Sequence, residues 1–377
     1  YLNTFLTQHR EKHTMSDIRK AGPKSAKKAI IKALKVKQPI FLWGPPGIGK
    51  SDLIKQIGDE GSNDLVIDVR LSLWDPTDIK GVPFYDEASG TMKWAPPAEL
   101  PGMKTAEQYD RIILFLDEMN SASPSVQAAA YQLVLNRKVG TYVLPENVVI
   151  VAAGNRDGDK GVTYRMPAPL KNRFIHLEME SKFDDWFDWA TENKINKDVV
   201  GFLNWSKGDL YNFDPKSSSN AFATPRSWSF VSNLLTDDDC DEETLMNLMS
   251  GSVGEGTALK FGAYQKLAGK MPNPTDILKG KVTKLDYKEI SAMYSLTVGL
   301  CYELKDAIDN KKVDNKKFHE MAFNFIQYMM DNFETELVVM GAKIALKTYK
   351  LPIEPTQLKN FDDFHKKYGK YIVEAGN

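Results

Sequence analysis

The stretch Ile40-Phe-Leu-Trp-Gly-Pro-Pro-Gly-Ile-Gly-Lys-Ser51 joins a short apolar run to a glycine-rich turn that ends on a lysine and a serine. Gly44 and Gly49 allow the main chain to curl so tightly that successive N–H groups point inward. A helix that begins near Lys50 would add its positive end to the same cavity. With a strand before it and a helix over Asp52 to Ile57 after it, this pattern predicts a phosphate-binding loop.

The predicted loop fits the phosphates of a nucleotide. Lys50 would reach the β- and γ-phosphates as a mobile charge, and the Ser51 hydroxyl would be one ligand of the Mg²⁺ that accompanies them. The residues that we assign to cofactor binding are Gly44, Pro45, Pro46, Gly47, Ile48, Gly49, Lys50, Ser51 and Asp52.

Composition describes an ordinary globular chain of 377 residues, with 42% hydrophobic and 26% charged residues. Its longest apolar runs, 112–116 and 148–153, have the length of strands and fall short of the roughly 20 residues that cross a bilayer. The first residues lack the apolar core of a signal peptide, so we expect a cytoplasmic location. Two cysteines are too few for a disulfide framework. A net charge of −1 gives no indication of nucleic-acid binding.

A nearly continuous apolar run, Arg111-Ile-Ile-Leu-Phe-Leu-Asp117, is followed directly by Glu118. Such a run is typical of a strand in a sheet that is buried on both faces. Ligands of open α/β sheets bind at the carboxyl ends of the strands, where the phosphate loop also lies. We therefore predict that Asp117 holds Mg²⁺ through water and that Glu118 orients and deprotonates the attacking water.

Two more strands are predicted further along the chain. Val148 to Gly154 is apolar and ends at Asn155, whose amide could bond to the attacking water or to the γ-phosphate. Residues 170–177 form a fifth strand-like run, and His176 within it is interpreted as a hydrogen-bonded core histidine rather than a ligand.

Short elements fill the intervals. We predict a strand over Leu65 to Val69, a helix over Ser121 to Leu135 and two hairpins. The first hairpin is an insert within Arg70 to Pro101, with Phe84-Tyr85 and Met92-Lys-Trp94 as its arms. The second spans Arg137 to Pro145.

The remaining sequence patterns give weaker indications of function. The pair His9 and His13 lacks the spacing of a metalloprotease helix, and no metal is predicted there. The lysines between residues 20 and 37 are interpreted as the solvated face of a helix, with a nucleic-acid surface as the alternative. Beyond Lys182 the pattern is helical, and Thr224-Pro-Arg226 is typical of a helix start that presents an arginine.

The order of these motifs resembles that of the AAA+ ATPases. Within that superfamily, the Gly81-Val-Pro insert, the hairpin over Val139 to Pro145 and the run from Met166 to Phe174 are similar to the MoxR group. The resemblance covers about residues 25 to 300. It implies an α/β core with a parallel five-stranded sheet of order 5-1-4-3-2, a helical lid, ATP as the nucleotide and assembly into a ring, usually a hexamer.

The resemblance also implies roles for individual residues. Asn155 matches the first sensor, Arg173 the arginine finger that reaches the neighbouring subunit's nucleotide, and Arg226 the second sensor. Arg156 and Arg165 match less well. The aromatic residues of the insert would lie near the central channel of the ring, where they could contact a client. Alternatively, they could cover the subunit's own core or its neighbour.

We therefore predict an N-terminal extension over 1–19, a nucleotide-binding core over 20–180, a helical lid over 181–300 and a C-terminal helical extension over 301–377. The predicted function is Mg²⁺-dependent ATP hydrolysis by a ring that remodels or assembles a protein client. One alternative is a nucleotide-gated binding module without turnover. Another is a DNA-processing motor or loader, which only the N-terminal lysines support.

Overall fold

The computed structural model describes residues 18–156, 158–159, 163–236 and 240–374. The predictions made for His9, His13 and most of the N-terminal extension lie outside these residues. The chain divides into two compact units, with the boundary between Ser181 and Lys182. Among the described residues, no helix is both long enough and apolar enough to cross a membrane.

A parallel sheet forms the centre of the first unit, and two hairpins accompany it. The strands are β1 (Lys20–Ala21), β2 (Ile40–Trp43), β3 (Asp64–Arg70), β4 (Val82–Asp86), β5 (Thr91–Ala95), β6 (Arg111–Asp117), β7 (Lys138–Val139), β8 (Tyr142–Val143), β9 (Val148–Gly154) and β10 (Ile175–Met179). The sheet order is β1-β10-β2-β9-β6-β3, and every neighbouring pair is parallel.

The predicted α/β fold is confirmed, with one difference in the sheet. The five expected strands lie in the predicted order, but the sheet has a sixth strand, because β1 pairs with β10 at one edge. Two residues are too few to show a periodic pattern, so the sequence gives no signal for this strand. The central strand β9 is buried along its whole length, as its apolar sequence predicts.

The helices of the first unit are α1 (Pro23–Lys35), α2 (Lys50–Asp59), α3 (Pro76–Lys80), α4 (Met103–Ala106), α5 (Pro124–Asn136) and α6 (Ala168–Lys171). Short 3-10 turns span Leu71–Leu73 and Met119–Ser121. The side chain of Ser123 accepts a hydrogen bond from the Val126 amide, so α5 begins at Pro124 rather than at Ser121.

The predicted strand over 170–177 is wrong in its first half. Residues Ala168–Lys171 form α6, and β10 begins only at Ile175. Pro167 and Pro169 explain the difference, because proline fits the first turn of a helix and cannot donate to a sheet ladder.

Both predicted hairpins are confirmed. In the first, β4 pairs with β5, and Phe84 lies opposite Lys93. In the second, β7 pairs with β8. The hairpins contact each other, since the Thr141 hydroxyl donates to the Trp94 carbonyl over 2.9 Å.

The second unit is helical. It contains α7 (Phe183–Glu192), α8 (Lys197–Trp205), α9 (Pro225–Leu234), α10 (Glu242–Val253), α11 (Glu255–Ala268), α12 (Pro274–Leu278), α13 (Ile290–Asp309), α14 (Asn315–Asn332), α15 (Thr335–Lys343) and α16 (Phe361–Glu374). A π-helical turn over Ile344–Thr348 continues α15.

One buried core runs through this helical unit, from Trp186 to Tyr368. The sequence-based boundary between lid and extension, at residue 300, falls inside the long helix α13. Further along that helix the thiol of Cys301 is buried and donates to the carbonyl of Gly341 over 3.5 Å, which ties α13 to α15.

Candidate nucleotide site at the carboxyl ends of the strands

The glycine-rich turn between β2 and α2 has the backbone of a phosphate cradle. Gly47 and Gly49 have φ angles of 75° and 87°, in the left-handed region that favours glycine. A β-carbon added to Gly49 would meet no described atom within 4 Å, so the space beside the turn is open. The Gly44 amide donates to the Gly154 carbonyl over 3.2 Å and thereby anchors the turn to β9.

Lys50 lies at the first position of α2, and its ammonium group reaches back over the turn. It donates to the carbonyl oxygens of Gly44 (2.7 Å) and Pro45 (3.1 Å) and to Oδ1 of Asn155 (3.3 Å). Lys50 is therefore in direct contact with Asn155. From the sequence, the lysine is assigned to the phosphates and the asparagine amide to the γ-phosphate or the attacking water. Asp52, by contrast, is exposed on the first turn of α2.

Ser51 and Asp117 form the candidate metal pair. The serine hydroxyl donates to Oδ2 of Asp117 over 2.8 Å, while Oδ1 accepts the Glu118 amide, also over 2.8 Å. A hydroxyl and a carboxylate are hard oxygen donors, which suit Mg²⁺ with its retained waters. Within the described part of the chain there is no cluster of three or more His, Cys, Asp or Glu side chains for a metal. The pair thus fits a magnesium ion that takes its other ligands from water and phosphate.

Glu118 follows Asp117 with a left-handed backbone, at a φ angle of 54°. Its carboxylate accepts a hydrogen bond from the hydroxyl of Ser72 and lies 3.9 Å from Nε of Arg70. The sequence analysis did not identify Ser72 or Arg70. Only the sheet order could have identified them, because β3 is adjacent to β6 and its carboxyl end lies at the same edge of the sheet.

Asp68 is a further acidic residue on β3. Partial burial raises its pKa, and the nearby Asp117 carboxylate raises it further, while Arg70 and Lys55 act in the opposite direction. The ionised form of Asp68 is therefore less favourable than that of an isolated aspartate.

Asn155 is fixed by a second asparagine that the sequence analysis also missed. Nδ2 of Asn120 donates to the Asn155 carbonyl over 2.7 Å, and Oδ1 of Asn120 accepts the Asn155 amide over 3.1 Å. Asn120 is only 1% exposed. Its position two residues after Glu118 is the one sequence feature that could have drawn attention to it.

The arginines have different environments. Arg156 forms ion pairs with Asp159 and Glu178, and these hydrogen bonds and charges raise its pKa. Arg165 and Arg173 are exposed, and neither has an ion-pair partner among the described residues. Arg226 is exposed in the helical unit, at the second position of α9.

Two local predictions are confirmed beside these residues. Thr224 caps α9, since its hydroxyl accepts the Ser227 amide over 3.1 Å. His176 is hydrogen-bonded at both ring nitrogens: Nδ1 accepts from Nε1 of Trp43 (2.9 Å), and Nε2 lies 2.8 Å from the Lys171 carbonyl. Both ring nitrogens are therefore engaged in polar contacts, as expected for a hydrogen-bonded histidine, although the residue is only partly buried.

Comparison with known proteins agrees with this geometry. Residues 39–174 match the family model described as AAA domain (dynein-related subfamily). Midasin from Giardia intestinalis is 27% identical over 195 residues, which are 48% of this chain but only 4% of that protein.

Solved structures provide more distant likenesses. NtrX from Brucella abortus in complex with ADP is 13% identical, with 87% of this chain and 68% of that chain covered and a TM-score of 0.38. A RuvB mutant from Thermotoga maritima is 18% identical, with 82% and 88% covered and the same TM-score of 0.38. Likenesses at this level add nothing to the fold described above.

The phosphate cradle, Lys50, the Ser51–Asp117 pair, Glu118 and Asn155 all lie within the matched range, at the carboxyl edge of a parallel sheet. Over residues 39–174 the chain is therefore similar to AAA domains of the dynein-related subfamily, and this range includes the candidate nucleotide site.

Proposed function

We propose that this protein hydrolyses ATP with Mg²⁺ as a ring-shaped, hexameric ATPase of the MoxR-like type, and that it uses the cycle to remodel or assemble a protein client. The observation that supports hydrolysis best is the convergence of Lys50, Asp117, Glu118 and Asn155 beside an open phosphate cradle. The sequence predicts each role, and the contacts among these four residues and Ser51 support the proposal.

In the proposed mechanism, phosphate oxygens would replace the main-chain carbonyls that now accept from Lys50, because an anionic acceptor attracts the ammonium group more strongly than a neutral carbonyl does. Ser51 and Asp117 would hold Mg²⁺, which neutralises charge on the phosphates. Glu118 accepts a proton from the attacking water, and the Asn155 amide orients that water against the γ-phosphate.

Two variants separate binding from chemistry. Lys50→Ala should weaken ATP affinity at least tenfold, because it removes a charge that contacts the ground-state phosphates. Glu118→Gln should keep that affinity and lower turnover by a factor on the order of 10² or more, the range for a lost general base. Fluorescent-nucleotide titration and phosphate release measure the two effects.

Undiminished turnover in Glu118→Gln would refute the assignment of the base. Wild-type protein that binds ATP and does not hydrolyse it would favour the nucleotide-gated binding module instead.

We further propose that the β4–β5 hairpin contacts the client. The structure divides the large side chains of the whole insert, Arg70 to Pro101, into two groups. Trp74 packs on the core of the first unit, and Trp94 lies against Gly140 of the second hairpin. Phe84, Tyr85 and Met92 remain 46%, 61% and 60% exposed. Large apolar groups exposed on a projecting hairpin are typical of an interaction surface.

The test replaces Phe84 and Tyr85 together by serine. Basal ATPase and ring assembly should persist, and partners that co-purify with the wild type should be lost. Phe230→Ser is the matched control, because Phe230 is 52% exposed on α9 of the helical unit. Loss of assembly or of folded protein in the double variant would show that the hairpin is structural.

A further inference from the structure

The 3-10 turn Met119–Ser121 places Asn120 between the two strands that end at the candidate site. The paired register of β6 and β9 extends to Leu116 opposite Ala152. Beyond that point the side-chain amide of Asn120 bonds to both the N–H and the C=O of Asn155, over 3.1 and 2.7 Å. The Asn120 side chain thus makes the two hydrogen bonds to the Asn155 main chain that a residue of a neighbouring strand would otherwise make.

This contact restrains the residue that bonds to Lys50. With its N–H and its C=O both engaged, the Asn155 main chain cannot rotate without breaking a partly buried hydrogen bond. Its side chain is therefore directed from a fixed backbone, and Oδ1 accepts from Lys50 over 3.3 Å.

The side chain of Asn120 packs closely against the main chain of Gly154. A β-carbon on Gly154 would lie 2.2 Å from Oδ1 of Asn120 and 2.9 Å from Cζ of Phe41. The Asn120 carbonyl also accepts the Tyr164 amide over 2.7 Å, so the segment that returns after β9 is tied to the same residue.

We propose that Asn120 is a positioning residue for hydrolysis. It holds the Asn155 amide at the γ-phosphate and against Lys50, and its effect on turnover passes through the Asn155 side chain. The inference rests on the proposed ATPase function and adds a residue to it.

A double-mutant cycle tests this role. Asn120→Asp keeps the size of the side chain and removes the donor to the Asn155 carbonyl. In an otherwise wild-type chain it should lower kcat by about 10², the scale of a small misplacement of a reacting group. In an Asn155→Ala chain, which lacks the side chain to be positioned, the same change should cost less than about threefold.

An equal loss in both backgrounds would overturn the proposal, because it would show a general structural defect. A wild-type rate in Asn155→Ala would also overturn it. Asn120→Ser, which is too short to bridge both main-chain groups, repeats the cycle if the aspartate variant does not fold.

A second measurement separates this inference from the proposed function. If the wild type binds ATP without turnover, the proposed function fails, and the same variants are compared by the ratio of their ADP and ATP dissociation constants. Asn120→Asp should then reduce the preference for ATP as much as Asn155→Ala does, and the double variant should reduce it no further. An additive reduction would refute the positioning role.

Discussion

Glu118 occupies a backbone conformation that most residues avoid. A left-handed φ costs a residue other than glycine roughly 1–2 kcal/mol, yet a glutamate stands at this strand end. The turn directs its carboxylate toward Ser72 and Arg70 and starts the short helix that carries Asn120. Strain at a polar strand end is typical of a residue kept for its chemistry.

Asp117 provides a prediction about the metal. Asp117→Asn keeps the shape of the side chain but removes the charge next to Ser51. The Mg²⁺ concentration for half-maximal ATPase should therefore rise at least about tenfold, because carboxylates are preferred Mg²⁺ ligands. Turnover measured against Mg²⁺ at fixed ATP gives this value.

The matched control is Asp59→Asn, which changes an exposed acid at the end of α2. It should leave the Mg²⁺ dependence unchanged. If both variants show the wild-type dependence, Asp117 is not a metal ligand.

At the scale of helices, strands and turns, the sequence predicts those elements that a short stretch of residues determines by itself. The phosphate loop, the buried strands β6 and β9, both hairpins and the cap of α9 follow from glycine positions, apolar runs and a capping threonine. The contacts of Ser72 and Asn120 could not be predicted, because side chains from separate strands meet only after the sheet has formed. Local propensity also misassigned Ala168–Lys171, where two prolines favour a helix.

The end of α13 provides a prediction about stability. Lys311 follows this helix with a φ of 50°, and the amides of Lys311 and Lys312 bond back to Ile308 and Ala307. Glycine is the usual residue at such a position. Lys311→Gly should raise the free energy of unfolding by roughly 0.5–1 kcal/mol, because relief of the left-handed strain exceeds the entropy that glycine adds to the unfolded chain.

Urea denaturation followed by circular dichroism measures this change. Lys311→Ala is the control, since it removes the charge and keeps the strain, and it should give no gain. A glycine variant that is no more stable than the alanine variant would contradict the prediction.

At the scale of the whole molecule, the proposed ring requires that one site be completed by two subunits. Arg173 is exposed and has no ion-pair partner among the described residues, as a finger for a neighbouring subunit requires. Arg173→Ala should lower turnover by a factor on the order of 10³ and leave ATP binding intact.

A mixture of two variants tests whether Arg173 acts on the site of a neighbouring subunit. Arg173→Ala and Glu118→Gln subunits, each inactive alone, should recover activity together, since an intact Glu118 then meets an intact Arg173 across some interfaces. No recovery in a mixed assembly, or full turnover by a monomer at high ATP, would refute the ring.

Each of the two units has a core built from its own residues, Phe41 to Phe174 in the first and Trp186 to Tyr368 in the second. If each unit melts in a transition of its own, heat denaturation reports which unit contacts the nucleotide. A ligand stabilises only what it binds, by RT ln(1 + [L]/Kd). ATP held by the first unit alone would raise one melting transition in a calorimetric scan, whereas ATP also held by Arg226 would raise both. The Arg226→Ala scan would then show the second transition return to its nucleotide-free temperature.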